Sequence, residues 1–248
     1  MGDRLRKPIV VEAICEFRFV ADTPWDWTIP GQLYDRIQAD FPQRSQIQGM
    51  GFQLQASPSM PPVATIQTGP ERVQLKRTNG SAMVQVGQNL LAINHFPPYP
   101  SWDEFRALIL VVWNEYQGVT SETVLQRIGL RYINQIPLPT EAVPIDQWIT
   151  LDPPLSGQLD RPLRGFYQRY ELEETTPEGV LIHQTGIQNL EGQIGLVLDL
   201  DFGSTQVRHL KATEAVQAWL EAAHTCVYEA FVASLNPAFY EKLKRGDA

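Results

Sequence analysis

Residues 9–19 read IVVEAICEFRF and residues 125–134 read LQRIGLRYIN. The first stretch sets Glu12 and Glu16 four residues apart, and the second sets Arg127 and Arg131 at the same spacing. Along a β-strand, residues i, i+2 and i+4 line one face. Each stretch therefore reads as a strand with two like charges on one side and an apolar set on the other. Like charges on a half-buried face need a counter-charge, so the two strands are expected side by side. Two uses of the pairing follow. The four side chains can form a ladder of cross-strand ion pairs, or Arg127 and Arg131 can grip a carboxylate or phosphate in a charged cleft that Glu12 and Glu16 border. The ladder is preferred, because paired charges that are removed from water satisfy one another first. Gly129, between the arginines, opens the backbone to close approach. Arg18 shares a face with the glutamates and competes for Glu16.

Around these strands the pattern changes twice in the same order. After the first strand, Pro30, Leu33, Ile37 and the Phe41–Pro42 pair mark a short amphipathic helix that stops before proline. Between 46 and 96 the period becomes two: GFQLQA, VATIQT and RVQLKR alternate apolar and polar residues, as half-buried antiparallel strands do. Asn79-Gly80 lies between two such runs and signals a hairpin. Ser101, followed by Glu104, is a capping box. It opens a helix whose stripe is Phe105, Leu108, Ile109, Val112 and Tyr116.

The second half runs from LQRIGLRYINQI through an irregular, proline-containing stretch (137–162) with a turn of helix at IDQW. Three strand-like segments follow, RGFYQRYELEE, VLIHQTGIQ and GQIGLVLDLDF. A long helix from Thr213 to about Leu235 carries Val216, Leu220, Ala223, Val227 and Phe231 at helical spacing, and a short helix follows Pro237. The expected fold is α+β: antiparallel sheet, continuous or in two parts, with both long helices on one face. The halves, 1–122 and 123–248, read as pseudo-repeated strand–(helix)–strands–helix units within one compact body.

The chain has 248 residues, with 20 Lys+Arg against 28 Asp+Glu, a formal charge of −8. Divided after residue 124, the parts carry −2 and −6. Neither is basic, which argues against nucleic-acid binding. The apolar run near the start is broken by Glu12 and Glu16 and so lacks the core of a signal peptide. No stretch reaches the ~20 apolar residues of a membrane span. Cys15 and Cys226 read as buried free thiols, and the chain is expected in the cytoplasm.

Asp199 and Asp201 share a strand face. They can sit at a solvated strand end, meet a neighbouring Arg or Lys, or begin a cation site, for which no further acidic ligand stands at a telling distance. His95, His183, His209 and His224 lack partners at metal-ligand spacing. No motif calls for a cofactor, and GxSxG, Walker A, HExxH, CxxC and GxGxxG do not occur. Aromatic residues gather in TPWDWTIP (Trp25, Trp27) and HFPPYPSW (Phe96, Tyr99, Trp102). They serve as core or stiff-loop packing, or as a surface for a protein partner. The small residues of LEAAHTCVYEAFVAS could pack the C-terminal helix against a second copy.

PIVVEAICEFRF, VQVGQNLLAIN, YPSWDEF, RIGLRYINQIPLP and LDLDF, in that order, resemble a sporadically distributed bacterial family of uncharacterised proteins, with the RIGLRYIN segment its most distinctive part. The resemblance implies no activity and no catalytic residues. Sporadic distribution is typical of genes that travel, as in defence or toxin–antitoxin loci, and implies work beside partner proteins. The expected function is thus a non-enzymatic protein-binding or regulatory module. The alternative is a small-anion-binding or catalytic protein with its site between the halves.

Overall fold

The computed structural model describes residues 5–57, 60–120, 123–139, 145–150, 165–190, 192–205 and 207–247, with side chains described outside 48–70. In chain order the elements are β1 (Val10–Phe19), α1 (Ile29–Ile37), β2 (Gln43–Ser57), β3 (Met60–Lys76), β4 (Ala82–Gly87), β5 (Leu90–His95), α2 (Trp102–Gln117) and β6 (Leu125–Pro137). A 3-10 turn at Ile145–Gln147 leads on to β7 (Tyr167–Thr175), β8 (Glu178–Leu190), β9 (Gln193–Ser204), α3 (Thr213–Ser234) and α4 (Pro237–Arg245). The rest of the irregular 137–162 stretch falls largely outside the described residues.

All nine strands join one antiparallel sheet in the order β2-β3-β4-β5-β1-β6-β9-β8-β7. The two strands that open the halves, β1 and β6, pair at its centre, with Glu16 opposite Gly129 and Ile14 opposite Arg131. On either side, each meets the last strand of its own meander, β5 for β1 and β9 for β6. The connections thus run in the same order in both halves, although the first meander has four strands and the second three.

Strand alternation assigns the faces. Ala13, Cys15, Phe17 and Phe19 of β1, with Ile128, Leu130 and Tyr132 of β6, are buried under the helices. Phe17 stacks on Trp113 of α2 at 4.5 Å, and Phe19 on Tyr116 at 5.3 Å. Trp219 of α3 lies against Phe202 of β9 and donates its indole N–H to Ser204 Oγ at 2.9 Å. Both long helices therefore cover one face, and burial of such large aromatic surfaces dominates the gain.

Local signals are met with small departures. Ser101 Oγ accepts from the Glu104 N–H at 3.2 Å as an N-cap. Glu104 answers through its carboxylate, which accepts from the Ser101 hydroxyl at 3.2 Å. Gly80 takes φ +71° in the β3–β4 hairpin, a conformation that costs glycine little. VATIQT and RVQLKR, which read as separate runs, belong to the single strand β3, because a register shift against β2 absorbs Gly69-Pro70. Cys15 is buried, and burial lifts its thiol pKa well above the ordinary value, whereas Cys226 stays partly exposed, unlike the buried thiol expected. Among the described residues no helix is long and apolar enough to cross a membrane.

Candidate functional site

The face of the sheet opposite the helices carries the charged strip. Glu12, Glu16 and Arg18 point there from β1, Arg127 and Arg131 from β6, and Asp199 and Asp201 from β9. Arg127 spans three strands: Nη1 donates to Glu16 Oε1 at 3.1 Å, and Nη2 donates to the Asp201 carboxylate at 3.1 and 3.3 Å. Arg131 makes a two-pronged contact with Asp199, Nε to Oδ1 at 2.8 Å and Nη2 to Oδ2 at 2.5 Å. Arg18 holds Glu16 from the solvent side at 2.7 and 3.0 Å. The hydrogen bond to Asp199 raises the Arg131 pKa further. Burial raises that of Asp201 against the opposing pull of Arg127 and Arg131.

The expected four-residue ladder is corrected at Glu12, which among the described residues makes no ion pair with the arginines: it accepts from Asn94 Nδ2 of β5 at 2.7 Å, and Asn94 in turn accepts from Gln85 at 3.0 Å. The register explains the difference. Placing Glu16 opposite Gly129 leaves Glu12 beside Ile133, while Arg131 gains Asp201 as its neighbour across β9 and Asp199 one pleat away. The aspartates thus meet the arginines of β6 rather than forming a cation site. Among the described residues no group of three or more His, Cys, Asp or Glu gathers to hold a metal.

The glycines let Arg127 lie flat. Gly129 of β6 is paired directly with Gly203 of β9. A Cβ on Gly129 would stand 2.6 Å from Arg127 Nη1, and one on Gly203 would stand 2.6 Å from Nη2. The guanidinium therefore lies across both glycines, in reach of carboxylates on either side. Close approach at Gly129 is made by the chain's own arginine.

On the helix side of the same strands lies a cavity of about 650 Å³. Val10, Tyr132, Asn134 and Leu200 form its floor, the start of α2 one wall and α3 the other. It draws on both halves of the chain. Trp102 stacks on His224 at 4.2 Å with the rings 8° from parallel, and Trp102 Nε1 donates to Glu221 Oε2 at 2.9 Å. Arg106 bridges Glu221 and Asp103. The hydroxyls of Tyr99 and Tyr132 are 2.9 Å apart, and burial lifts both phenol pKa values. Burial also lowers the His224 pKa to about 4, so its imidazole is neutral at pH 7.

Of the five aromatic residues singled out from the sequence, Tyr99 and Trp102 come together at this cavity, while Phe96 stays outside its lining. The Phe96 carbonyl accepts from His95 Nδ1 at 2.8 Å. Trp25 and Trp27 pair edge to face at 5.6 Å elsewhere, with Trp25 packed against the core and Trp27 56% exposed. Sequence reasoning missed Tyr132, Asn134, Glu221, His224 and Tyr228. Two signals were present: a polar Asn134 on an otherwise apolar strand face, and Glu221, His224, Thr225 and Tyr228 at i, i+3, i+4 and i+7 beside the apolar stripe of α3. Compared with known proteins, the chain matches no protein-family model and no curated sequence.

Proposed function

We propose that this protein acts by holding a protein partner, as a non-enzymatic binding or regulatory module. The supporting observation is β7. It ends the sheet with β8 as its neighbour, is nine residues long, and exposes Tyr170 (43%) and Leu172 (48%) on one face and Tyr167 (55%) on the other. An edge strand offers alternate backbone N–H and C=O groups to an incoming strand. Here it also offers apolar side chains, which natural edges usually replace by charge. The charges that β7 does carry, Arg169 against Glu171, Glu173 and Glu174, leave it acidic. The partner segment this favours is extended and basic, with apolar residues at alternate positions. The resemblance to a sporadically distributed bacterial family of uncharacterised proteins, a distribution typical of genes that travel, favours a partner within a defence or toxin–antitoxin system.

The competing anion-grip reading is disfavoured by the strip itself. Arg127 already holds Glu16 and Asp201, and Arg131 already holds Asp199, so an incoming anion would have to displace a carboxylate fixed on the same sheet. The test is affinity capture from the native host with the wild type and with a Tyr170→Lys/Leu172→Lys variant. Both side chains are exposed, so the variant is expected to melt with the wild type and to lose the captured protein about tenfold or more. Hydrogen exchange on the captured complex should slow at residues 167–175. Equal capture by the variant, or protection that leaves β7 untouched, refutes the proposal.

A further inference from the structure

We infer that the open face of the sheet binds a phosphate group or another tetrahedral oxyanion where Arg72 of β3 leans over Gly87 of β4 towards Arg18 of β1. The ladder sets the row: Arg72 stands opposite Gly87, Gly87 opposite Leu90, and Leu90 opposite Arg18. Directly paired residues share a face, so both guanidinium groups rise on the side away from the helices. A Cβ on Gly87 would stand 3.2 Å from Arg72 Cγ, so the arginine stem crosses the spot that the glycine leaves open. Three strand spacings, roughly 14 Å, separate the backbones of β3 and β1, and Leu90 between them is 2% exposed. The floor is thus apolar and dry, with a cation at either end.

Arg72 is the observation that calls for an anion. It is partly buried, yet it makes no hydrogen bond or ion pair among the described residues. Its Nε is covered, while both Nη atoms keep accessible surface, so the donors left over are those a ligand can reach. Among the described residues no free carboxylate supplies the counter-charge. Glu71 lies on the opposite face of β3, where it accepts from Gln46 at 3.1 Å, and residues 48–70 contain no Asp or Glu. Glu16 is already held by Arg18 and Arg127. Burial lowers the Arg72 pKa, the Arg18 charge lowers it further, and Glu16 opposes them. A partly desolvated cation beside a second cation is costly until an anion joins it. The directions of the donors favour a tetrahedral anion. Arg18 spends Nε and Nη2 on Glu16 at 2.7 and 3.0 Å, which leaves Nη1. Gln74, on the same face one pleat from Arg72, adds an amide that has no hydrogen-bond partner among the described residues. Oxygens set at tetrahedral angles can accept from β3 and β1 together, whereas a planar carboxylate is matched by one guanidinium fork. Arg127 and Arg131 take no part, being committed to Asp201 and Asp199.

This site lies near the other end of the sheet order from β7 and takes a small anion rather than a protein segment, so either reading can fail without the other. Isothermal titration of the full chain at constant ionic strength tests it, with inorganic phosphate, sulfate and acetate as probes. Phosphate should bind with a dissociation constant on the order of 1 mM, sulfate similarly, and acetate about tenfold more weakly. Arg72→Met keeps the stem over Gly87 and removes the fork. It should weaken phosphate binding about tenfold or more, the loss expected of a charged hydrogen-bonding partner. It should also melt no lower than the wild type in phosphate-free buffer, because the cation it removes has no partner. Arg18→Gln leaves Glu16 with Arg127 and should weaken phosphate binding severalfold, an arm that does not depend on Arg72. Four results overturn the inference: no phosphate binding at tens of millimolar, acetate bound as tightly as phosphate, phosphate affinity retained in both variants, or Arg72→Met melting clearly below the wild type without phosphate.

Discussion

Replacing Arg127 by Met removes the cation that bridges β1, β6 and β9 while keeping most of the aliphatic stem. Its two carboxylate partners are left in unequal positions. Glu16 keeps Arg18, whose Nε stands 2.7 Å away, whereas Asp201 loses the bonds at 3.1 and 3.3 Å. Breaking a buried pair costs about 3–5 kcal/mol because a charge is left without compensation. Arg127 is 26% exposed and Asp201 22%, so solvent screens part of that and about 2–4 kcal/mol is expected. For a chain of this size it amounts to a drop of about 5–12 °C in melting temperature. The partition makes the prediction specific: adding Asp201→Asn to Arg127→Met should restore about half of the loss, while adding Glu16→Gln should restore little. The pH dependence supplies a second arm. Burial already holds the Asp201 carboxyl above its ordinary pKa, and loss of Arg127 lifts it further. A carboxyl whose folded-state pKa exceeds the unfolded one contributes stability that is present at low pH and lost as pH rises. The gap between variant and wild type should therefore narrow as pH falls from 7 towards 4. Thermal melts at several pH values measure both arms. A variant melting within about 1 °C of the wild type at pH 7, or a gap that does not change with pH, refutes the reasoning.

Two more outcomes follow. Gly129→Ala brings a Cβ to 2.6 Å from Arg127 Nη1 and 3.0 Å from Cζ, so the guanidinium must lift away from Glu16 and Asp201. A loss of about 1–2 kcal/mol in the wild type should shrink towards zero in the Arg127→Met background, a coupling that a double-mutant cycle in urea reads directly. His224→Phe keeps the stack on Trp102 but removes the imidazole that burial holds at about pH 4. An unfolded histidine takes its proton near pH 6.5, so the folded wild type loses stability as pH falls from there, by about 2–3 kcal/mol at pH 4.5. Glu221 and Asp103 soften this and Arg106 sharpens it. The melting temperature of the wild type should fall more steeply than that of the variant between pH 6.5 and 4.5, and parallel curves would contradict the assignment.

What could be read from the sequence was what depends on local period and end signals. Alternation in IVVEAICEFRF and LQRIGLRYIN assigned faces correctly and implied neighbours of opposite charge, and β1 and β6 are indeed paired. Ser101, Asn79-Gly80 and the stripe of α2 located their elements within a residue or two. Register was not legible, because a period of two states which side a residue faces and not which residue it faces. That is why the alternation yields a ladder among Glu12, Glu16, Arg127 and Arg131 without showing that Asp199, on a strand far along the chain, is the residue that holds Arg131. VATIQT and RVQLKR read as two alternating runs, and only the pairing with β2 shows that a register shift carries one strand across Gly69-Pro70.

The two sites are tied together by a single strand. In RIGLRYIN, residues 127, 129 and 131 face the charged strip, while 132 and 134 face the cavity under the helices. Arg127 can lie flat only because Gly129 has no side chain, and it locks β6 against both β1 and β9. That lock fixes the positions of Tyr132 and Asn134 on the reverse side. The pocket floor is therefore as well placed as the ion pairs are strong, which gives a reason for a glycine and two arginines to interrupt an otherwise apolar central strand. Under this reasoning the ion pairs of β6 are a positioning device rather than a docking site. Arg127→Met should then speed backbone hydrogen exchange at Tyr132 and Asn134, whose side chains lie on the opposite face of the strand from the ion pairs, and unchanged exchange there would contradict it.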